Sequence, residues 1–283
     1  MEEIRRKFTT EASLETGKDC LVNYVWINKE ADRKDREAAC SVSLKNVDGA
    51  YDNARRYPGA RFKVWFDFAL LDERSRGCLR DHYERFAPGN VTLCDLNEIP
   101  QYRDSEIFTP GTARSLWARV DLARVVVLDF VLQAEPEKYA LYSDFDVKDI
   151  SLRDAKVKMD EYGLALATIA IQDNAVCKYT VTTSCGPLEN SYFGFSRDER
   201  GQAYLKNLLS ATLTDAQSNQ NGFCALVNSF SKWSAKRHPG KLAVEFIVPR
   251  ILNSQNYKIP DKDIYREWGW NIGAEPLCHR AGL

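Results

Sequence analysis

The chain has 283 residues, of which 44% are hydrophobic and 28% are charged, as is typical of a soluble globular protein with a substantial core. Its 39 basic and 40 acidic residues leave a formal charge of −1. This balance gives no indication of general nucleic-acid binding, which would then have to depend on a local basic patch. No window approaches the ~20 apolar residues of a membrane span, so no transmembrane segment is predicted.

Cysteine usage indicates the compartment. The eight cysteines form no CxxC pair, and only three histidines are present to support a zinc site. We therefore expect reduced thiols in a cytosol-like compartment. The first residues carry no Sec-type signal, but a protein secreted into a host cell by a specialised machine would look the same.

The chain is predicted to form one continuous domain over 21–283, after a polar lead-in over 1–20. β-Branched and aromatic residues predict a first strand over 21–27. Trp26 lies near the carboxyl end of this strand, where open α/β sheets bind their ligands. It is therefore a candidate for stacking on a planar ligand, and the alternative is a core or rim tryptophan.

Strands are also predicted over 61–68 and 91–96. A helix between them is expected to be capped by Asp72 and to run to about Phe86. This alternation predicts an α/β sandwich with a mainly parallel central sheet.

The longest helix signal starts at Thr109-Pro110-Gly111 and continues to about Leu132. Asp121 and Arg124 are three residues apart and share one face of it. The plain alternative is a surface ion pair. The functional interpretation is that the arginine faces a diphosphate while the aspartate takes sugar hydroxyls.

A short buried strand then ends in two carboxylates, Asp144 and Asp146. The strand period of two would place them on the same side. Because clustered carboxylates repel each other, a hard divalent cation, Mg²⁺ or Mn²⁺, is the expected occupant. Two solvated aspartates at a strand end are the alternative.

Further strands are predicted over 163–171 and 188–196, with an amphipathic helix over 200–213. Glu189 and Asn190 would lie at the mouth of the second strand, unless they form only a turn with a solvated charge.

The pattern loosens from Leu252 onward. This tail contains Asn253, Ser254, Trp268 and Trp270, and it is predicted to be either a lid over a pocket or a packed strap.

Taken in order, these features resemble metal-dependent GT-A glycosyltransferases, in particular the DXD-containing bacterial toxin and effector enzymes that glycosylate host proteins. The resemblance spans residues 21–271. The features that carry it are Trp26, the helix with Asp121 and Arg124, Tyr142-Ser143-Asp144-Phe145-Asp146, the Glu189-Asn190 strand and the tryptophan-bearing tail. The chain departs from the typical pattern at Asn28-Lys29, where glycines usually follow the tryptophan.

The resemblance implies a role for each residue. Trp26 would stack on the nucleotide base, Asp121 and Arg124 would hold the donor sugar, and Asp144 and Asp146 would bind ribose and metal. Asn253 or Ser254 would complete the metal site. The remaining residues assigned to the donor side are Asn190, Trp268 and Trp270.

The predicted activity is hexosyl or N-acetylhexosaminyl transfer from a nucleotide sugar, with a UDP-sugar favoured, to a protein or glycan acceptor that includes a host protein. The toxin-like resemblance implies retention; if the enzyme inverts, Glu189 is the first candidate base.

Two other classes stay open. A haloacid-dehalogenase-like phosphotransferase also places DxD after a strand, but Lys148 stands where Thr or Val is usual. The other is a non-catalytic carbohydrate-binding or interaction module.

Overall fold

The computed structural model describes residues 16–27, 47–109, 116–145, 147, 150–169, 182–183, 186–218 and 250–251. At 167–169, 182–183, 186–190 and 250–251 the description covers the backbone alone. Some predictions therefore fall outside the described residues. These are most of the lead-in predicted over 1–20, and the lid or strap.

The described strands form one mixed sheet. They are β1 (Cys20–Trp26), β2 (Arg61–Phe66), β3 (Val91–Asp95), β4 (Tyr139–Ser143), β5 (Leu164–Ile169), β6 (Thr182–Thr183), β7 (Gly186–Ser196) and β8 (Arg250–Ile251). Their order is β3-β2-β1-β4-β7-β5-β8, with β6 paired to β7. The pairs β1/β2, β2/β3, β1/β4 and β5/β8 are parallel, and β7 runs opposite to its neighbours. The predicted mainly parallel sheet is confirmed.

The helices follow the predicted alternation. They are α1 (47–56), α2 (Glu73–Phe86), α3 (Pro100–Arg103), α4 (Leu116–Ala134), α5 (Leu152–Tyr162) and α6 (Glu199–Gln217). The predicted cap of α2 is confirmed, because the Asp72 side chain accepts the Ser75 backbone N–H at 2.7 Å. The one-turn helix α3 was not predicted, since four residues are too short to show a helical period.

Side-chain alternation along β1 divides the core into two layers. Leu21 and Val25 point into a cluster that includes α4 and α6. Val22 and Tyr24 point to the opposite face, into a cluster that includes α1, α2 and α5. The sheet is therefore covered by helices on both faces, as an α/β sandwich requires.

Helix α4 is buried around nearly its whole circumference, from Ala118 to Leu132. Apolar residues cover all its sides, so the helix is enclosed by the core rather than packed on it by one face. Trp117 near its first turn is 39% exposed.

One edge of the sheet collects the candidate residues. Parallel strands β1 and β4 end there at Trp26 and Ser143, and α4 begins there because its other end leads into β4. The reversed strand β7 reaches the same edge with its first half, since Tyr192 pairs with Ser143. We call this edge the carboxyl edge.

No helix in the described part of the chain is both long enough and apolar enough to cross a membrane.

Candidate functional site

A buried charge cluster joins α4 to the residue after β4. Arg124 Nη1 lies 3.2 Å from Asp121 Oδ1, and Arg124 Nη2 lies 2.9 Å from Asp144 Oδ1. The side chains of Arg124 and Asp121 are only 9% and 10% exposed. The interpretation as a surface ion pair is therefore wrong. One guanidinium fork links the helix to the carboxyl edge, and such charge-assisted contacts fix geometry.

Tyr142 completes the cluster. Its ring centroid lies 4.8 Å from the Arg124 guanidinium carbon, within cation–π range. Its hydroxyl donates to Asp144 Oδ1. Because burial raises the pKa of Tyr142 well above its usual value, the hydroxyl keeps the proton that it donates.

Opposing effects act on the pKa of the Asp144 carboxyl group. Burial raises the pKa of its carboxyl group, while the Arg124 charge and the Tyr142 hydrogen bond lower it, and the net shift is upward. Asp121, Arg124 and Asp144 together carry one negative charge when ionised. The expectation that a cation must neutralise the carboxylate therefore applies less strongly to Asp144, because Arg124 already pairs with it.

The backbone after β4 turns at once. The Asp144 N–H donates to the Ser191 carbonyl at 2.7 Å, and the Val147 N–H returns to the Asp144 carbonyl at 3.2 Å. Since β4 ends at Ser143, strand alternation does not extend to the second aspartate of the motif. Asp146 lies outside the described residues.

The described residues supply part of a cation site. The Arg124 ion pair and the Tyr142 hydrogen bond both use Asp144 Oδ1, and the Asp144 side chain is 23% exposed. A carboxylate oxygen suits Mg²⁺, Mn²⁺ or a sugar hydroxyl. No group of three or more His, Cys, Asp and Glu residues within the described ranges is placed to hold a metal. Asp146, Asn253 and Ser254, the other predicted ligands, lie outside the described ranges.

Trp26 stands at the rim of the core. It is partly buried at the end of β1 and packs edge-on against Phe145, with ring centroids 6.0 Å apart and planes at 79°. Phe145 directly follows Asp144, so the tryptophan adjoins the charge cluster. Trp26 contacts the core, as a rim tryptophan would. It also lies at the carboxyl edge, where a ligand-stacking residue is expected.

The other predicted residues are placed only in part. Glu189 belongs to β7 and pairs with Ala167, which puts its backbone and that of Asn190 on the carboxyl-edge side of Ser191. Their side chains are not described, and Trp268 and Trp270 lie outside the described residues. The structure therefore brings together Asp121, Arg124 and Asp144, and it packs Trp26 against Phe145, the residue after Asp144.

Sequence reasoning missed several contributors. The sequence prediction assigns no role to Tyr142, although its position two residues before Asp144 is a usable signal. Ser191 contributes a carbonyl group, which has no sequence signature. Arg119 is 4% exposed near the start of α4, and two of its guanidinium nitrogens, Nε and Nη2, have no hydrogen-bond partner among the described residues.

The sequence matches no protein-family model and none of the curated proteins compared with it. Solved structures with a similar arrangement include one described as PaToxG glycosyltransferase, at 11% identity and TM-score 0.41, covering 84% of this chain and 78% of that one. Mouse xyloside xylosyltransferase 1 has 12% identity and TM-score 0.42, with 82% and 84% covered. Glucosyl-3-phosphoglycerate synthase from Mycobacterium tuberculosis, in complex with Mn²⁺ and UDP, has 9% identity and TM-score 0.41, with 84% and 71% covered.

Proposed function

We propose that this chain is a metal-dependent glycosyltransferase that moves a sugar from a nucleotide-sugar donor, with UDP-sugars favoured, to a protein or glycan acceptor. The observation that carries the proposal is the Asp121–Arg124–Asp144 cluster at the carboxyl edge. Open α/β sheets bind ligands at that edge. Buried carboxylates and a forked guanidinium there suit a ligand rich in hydroxyl groups and phosphate.

Each donor group has a proposed partner. Trp26 stacks on the base, and Asp144 accepts hydrogen bonds from ribose hydroxyls through Oδ2. Asp121 and Arg124 hold the sugar, while the arginine charge also faces the diphosphate. Asn190, Trp268 and Trp270 are proposed to border the donor.

Arg119 adds an electrostatic reason to expect an anionic ligand nearby. Two of its buried guanidinium nitrogens have no partner among the described residues, and leaving a buried donor unpaired costs about 1–3 kcal/mol. The Arg119 charge acts on the hydroxyl of Tyr102, which donates to Asp67 at the end of β2. A diphosphate bound along the carboxyl edge would offset part of this cost.

The proposed metal ligands are Asp146, with Asp144 and Asn253 or Ser254 completing the set. A bound Mn²⁺ or Mg²⁺ would supply Lewis-acid stabilisation of charge on the departing nucleotide diphosphate. Arg124 is positioned by Asp121 and Asp144, so it adds a fixed positive charge for the same phosphate groups.

Retention of configuration is proposed from the resemblance to toxin and effector enzymes, and it requires no general base. If the enzyme inverts, Glu189 on β7 is the proposed base. The transferred group is proposed to be a hexose or N-acetylhexosamine. The acceptor class includes proteins of a host cell.

A reducing compartment is proposed as the site of action. The free thiols of Cys20 and Cys94 are buried, and burial raises the pKa of each to about 12. Such thiols are inert packing residues rather than reactive ones.

A thermal-shift screen of UDP-sugars with and without Mn²⁺ tests the proposal, because a ligand that binds the native state raises the melting temperature. We expect stabilisation by a UDP-sugar that is larger when Mn²⁺ is present. The variant Asp144→Ala combined with Asp146→Ala should abolish this gain and the transfer of radiolabelled sugar.

Three results would count against the proposal. No stabilisation by any UDP-sugar would remove the donor assignment. Binding of free sugars without nucleotide would favour a carbohydrate-binding module. A trapped phosphoryl group on Asp144 would favour the phosphotransferase.

A further inference from the structure

The turn after β4 is supported from the face of the sheet opposite to α4. Asp144 pairs with Arg124 on the α4 side. Phe145 and Val147, which flank position 146, are buried in the cluster that includes α1. The turn therefore crosses the sheet edge and is held from both layers.

Asn53 makes the first contact from α1. It is fully buried, and its Nδ2 donates to the Val147 carbonyl at 2.8 Å and to the Tyr24 hydroxyl at 3.0 Å. Tyr24 is itself buried on β1, and its ring lies 5.2 Å from that of Phe145. One amide thus ties the far end of the turn to the central strand. Leaving a buried carbonyl without its donor costs about 1–3 kcal/mol.

Gly49 makes the second contact. A β-carbon added at this position would lie 2.5 Å from the Phe145 carbonyl oxygen, a distance that real β-carbons do not show. Glycine is therefore needed here for the close approach of two backbones. Since that oxygen belongs to the backbone, the clash would be relieved only by moving α1 or the turn.

We propose that α1 is the support that sets the position of the 144–147 turn, with Asn53 and Gly49 as its positioning residues. Both residues that flank Asp146 are then fixed by this helix, one by a hydrogen bond and the other by close packing. The consequence for metal binding rests on the proposed function, in which Asp146 is a ligand. Neither Asn53 nor Gly49 touches the donor in this proposal.

The first test needs no ligand. Hydrogen exchange of the Val147 amide reports on the turn, because that amide donates to the Asp144 carbonyl. We expect Asn53→Ala and Gly49→Ala to raise its exchange rate at least tenfold in the metal-free protein. Asp52→Asn is the matched control on α1, since Asp52 is exposed and pairs with its helix neighbour Arg55. Exchange equal to that of the control would overturn the proposal.

A milder variant guards against loss of folding. Tyr24→Phe removes the acceptor on β1 and leaves the bond from Asn53 to Val147 in place. We expect a smaller increase in Val147 exchange, in the same direction. An unchanged rate would show that the bond between Asn53 and Tyr24 does not hold the turn.

The second test measures Mn²⁺ alone, by electron paramagnetic resonance titration without nucleotide. Loss of support around a metal ligand typically weakens affinity 10–100-fold, and we expect that range for Asn53→Ala and Gly49→Ala. If the wild-type chain does not bind Mn²⁺, the proposed metal site is wrong. Hydrogen exchange of the Val147 amide would still decide whether α1 positions the turn. If the two variants exchange the Val147 amide faster but bind Mn²⁺ as tightly as the wild type, the position of the turn does not control metal binding.

Discussion

The guanidinium of Arg124 lies 2.9 Å from the carboxylate of Asp144, so a helix buried in the core is bonded directly to the residue that follows β4. The same guanidinium holds Asp121 at 3.2 Å. A single side chain therefore sets the spacing of two carboxylates at the carboxyl edge.

Arg124→Lys should disrupt this spacing while retaining the charge. A lysine ammonium is a point charge and cannot reproduce a fork directed at two carboxylates. We expect sugar transfer to fall at least tenfold, with stability lowered by about 1–3 kcal/mol as a buried carboxylate loses its partner. Steady-state kinetics and urea unfolding check this. Equal kcat/KM in the variant would show that Arg124 serves packing alone.

Tyr142→Phe should change the pH dependence. The hydroxyl lowers the pKa of Asp144 against the effect of burial, so its removal raises that pKa further above the ordinary 3.8. Activity that needs the ionised carboxylate is lost as pH falls through the folded pKa. The acidic limb of the kcat/KM profile should therefore move to higher pH.

Stability gives a second readout of the same variant. A carboxyl group whose folded pKa is raised binds more protons folded than unfolded, so stability decreases as pH rises through the window above 3.8. The decrease should be larger in Tyr142→Phe. Tyr139→Phe is the matched control for the kcat/KM profile, because the Tyr139 hydroxyl bonds Asp160 at the other end of β4. A control that shifts equally would refute the assignment to Asp144.

Trp26→Ala should weaken UDP binding. Stacking of a base on an aromatic side chain is worth about 1–3 kcal/mol, or roughly 5- to 150-fold in Kd. Calorimetric titration measures this loss. The matched control is Trp65→Phe, which removes the buried indole that donates to Asn23 and should lower stability without changing UDP affinity. Unchanged affinity with a large fall in Tm would make Trp26 a core residue only.

More of the fold than of the candidate site can be predicted from the sequence. Strand and helix periods located β1, β2, β3 and α2 to within a residue or two, because side-chain alternation and the Asp72 cap are local signals. Spacing placed Asp121 and Arg124 on one helix face. Their pairing with Asp144 depends on how α4 packs against β4, and spacing along the chain does not encode that packing.

Two further features lay beyond sequence reasoning for the same reason. The role of Asn53 depends on a carbonyl group, and every residue has one, so nothing in its neighbourhood marks the contact. The reversed direction of β7 brings Ser191 rather than a strand end to Asp144. The alternation of side chains along one strand is the same whether the strand runs parallel or antiparallel to its neighbours.

Glu135→Gln tests an ion-pair cluster remote from the site. Glu135 pairs with Lys63 and Arg61 where α4 ends. Burial raises the pKa of Glu135, but these two cations outweigh it, and the net shift is downward. The contribution to stability is therefore present above the ordinary pKa of 4.5 and is lost as pH falls below it.

We expect Glu135→Gln to lower Tm at pH 7. Near pH 3 the Tm of the variant should approach that of the wild type. Thermal melts across this range check it. Asp104→Asn, in the exposed pair with Arg103, is the control that should leave Tm unchanged. A difference that persists undiminished at pH 3 would assign the effect to packing.

The burial of α4 on all sides limits how this protein can diversify. A substitution on that helix must satisfy the hydrophobic core and the two ion pairs of Arg124 together, so few replacements will be tolerated in a screen of variants. Laboratory selection for an altered ligand preference should accordingly leave Ala118–Leu132 almost untouched.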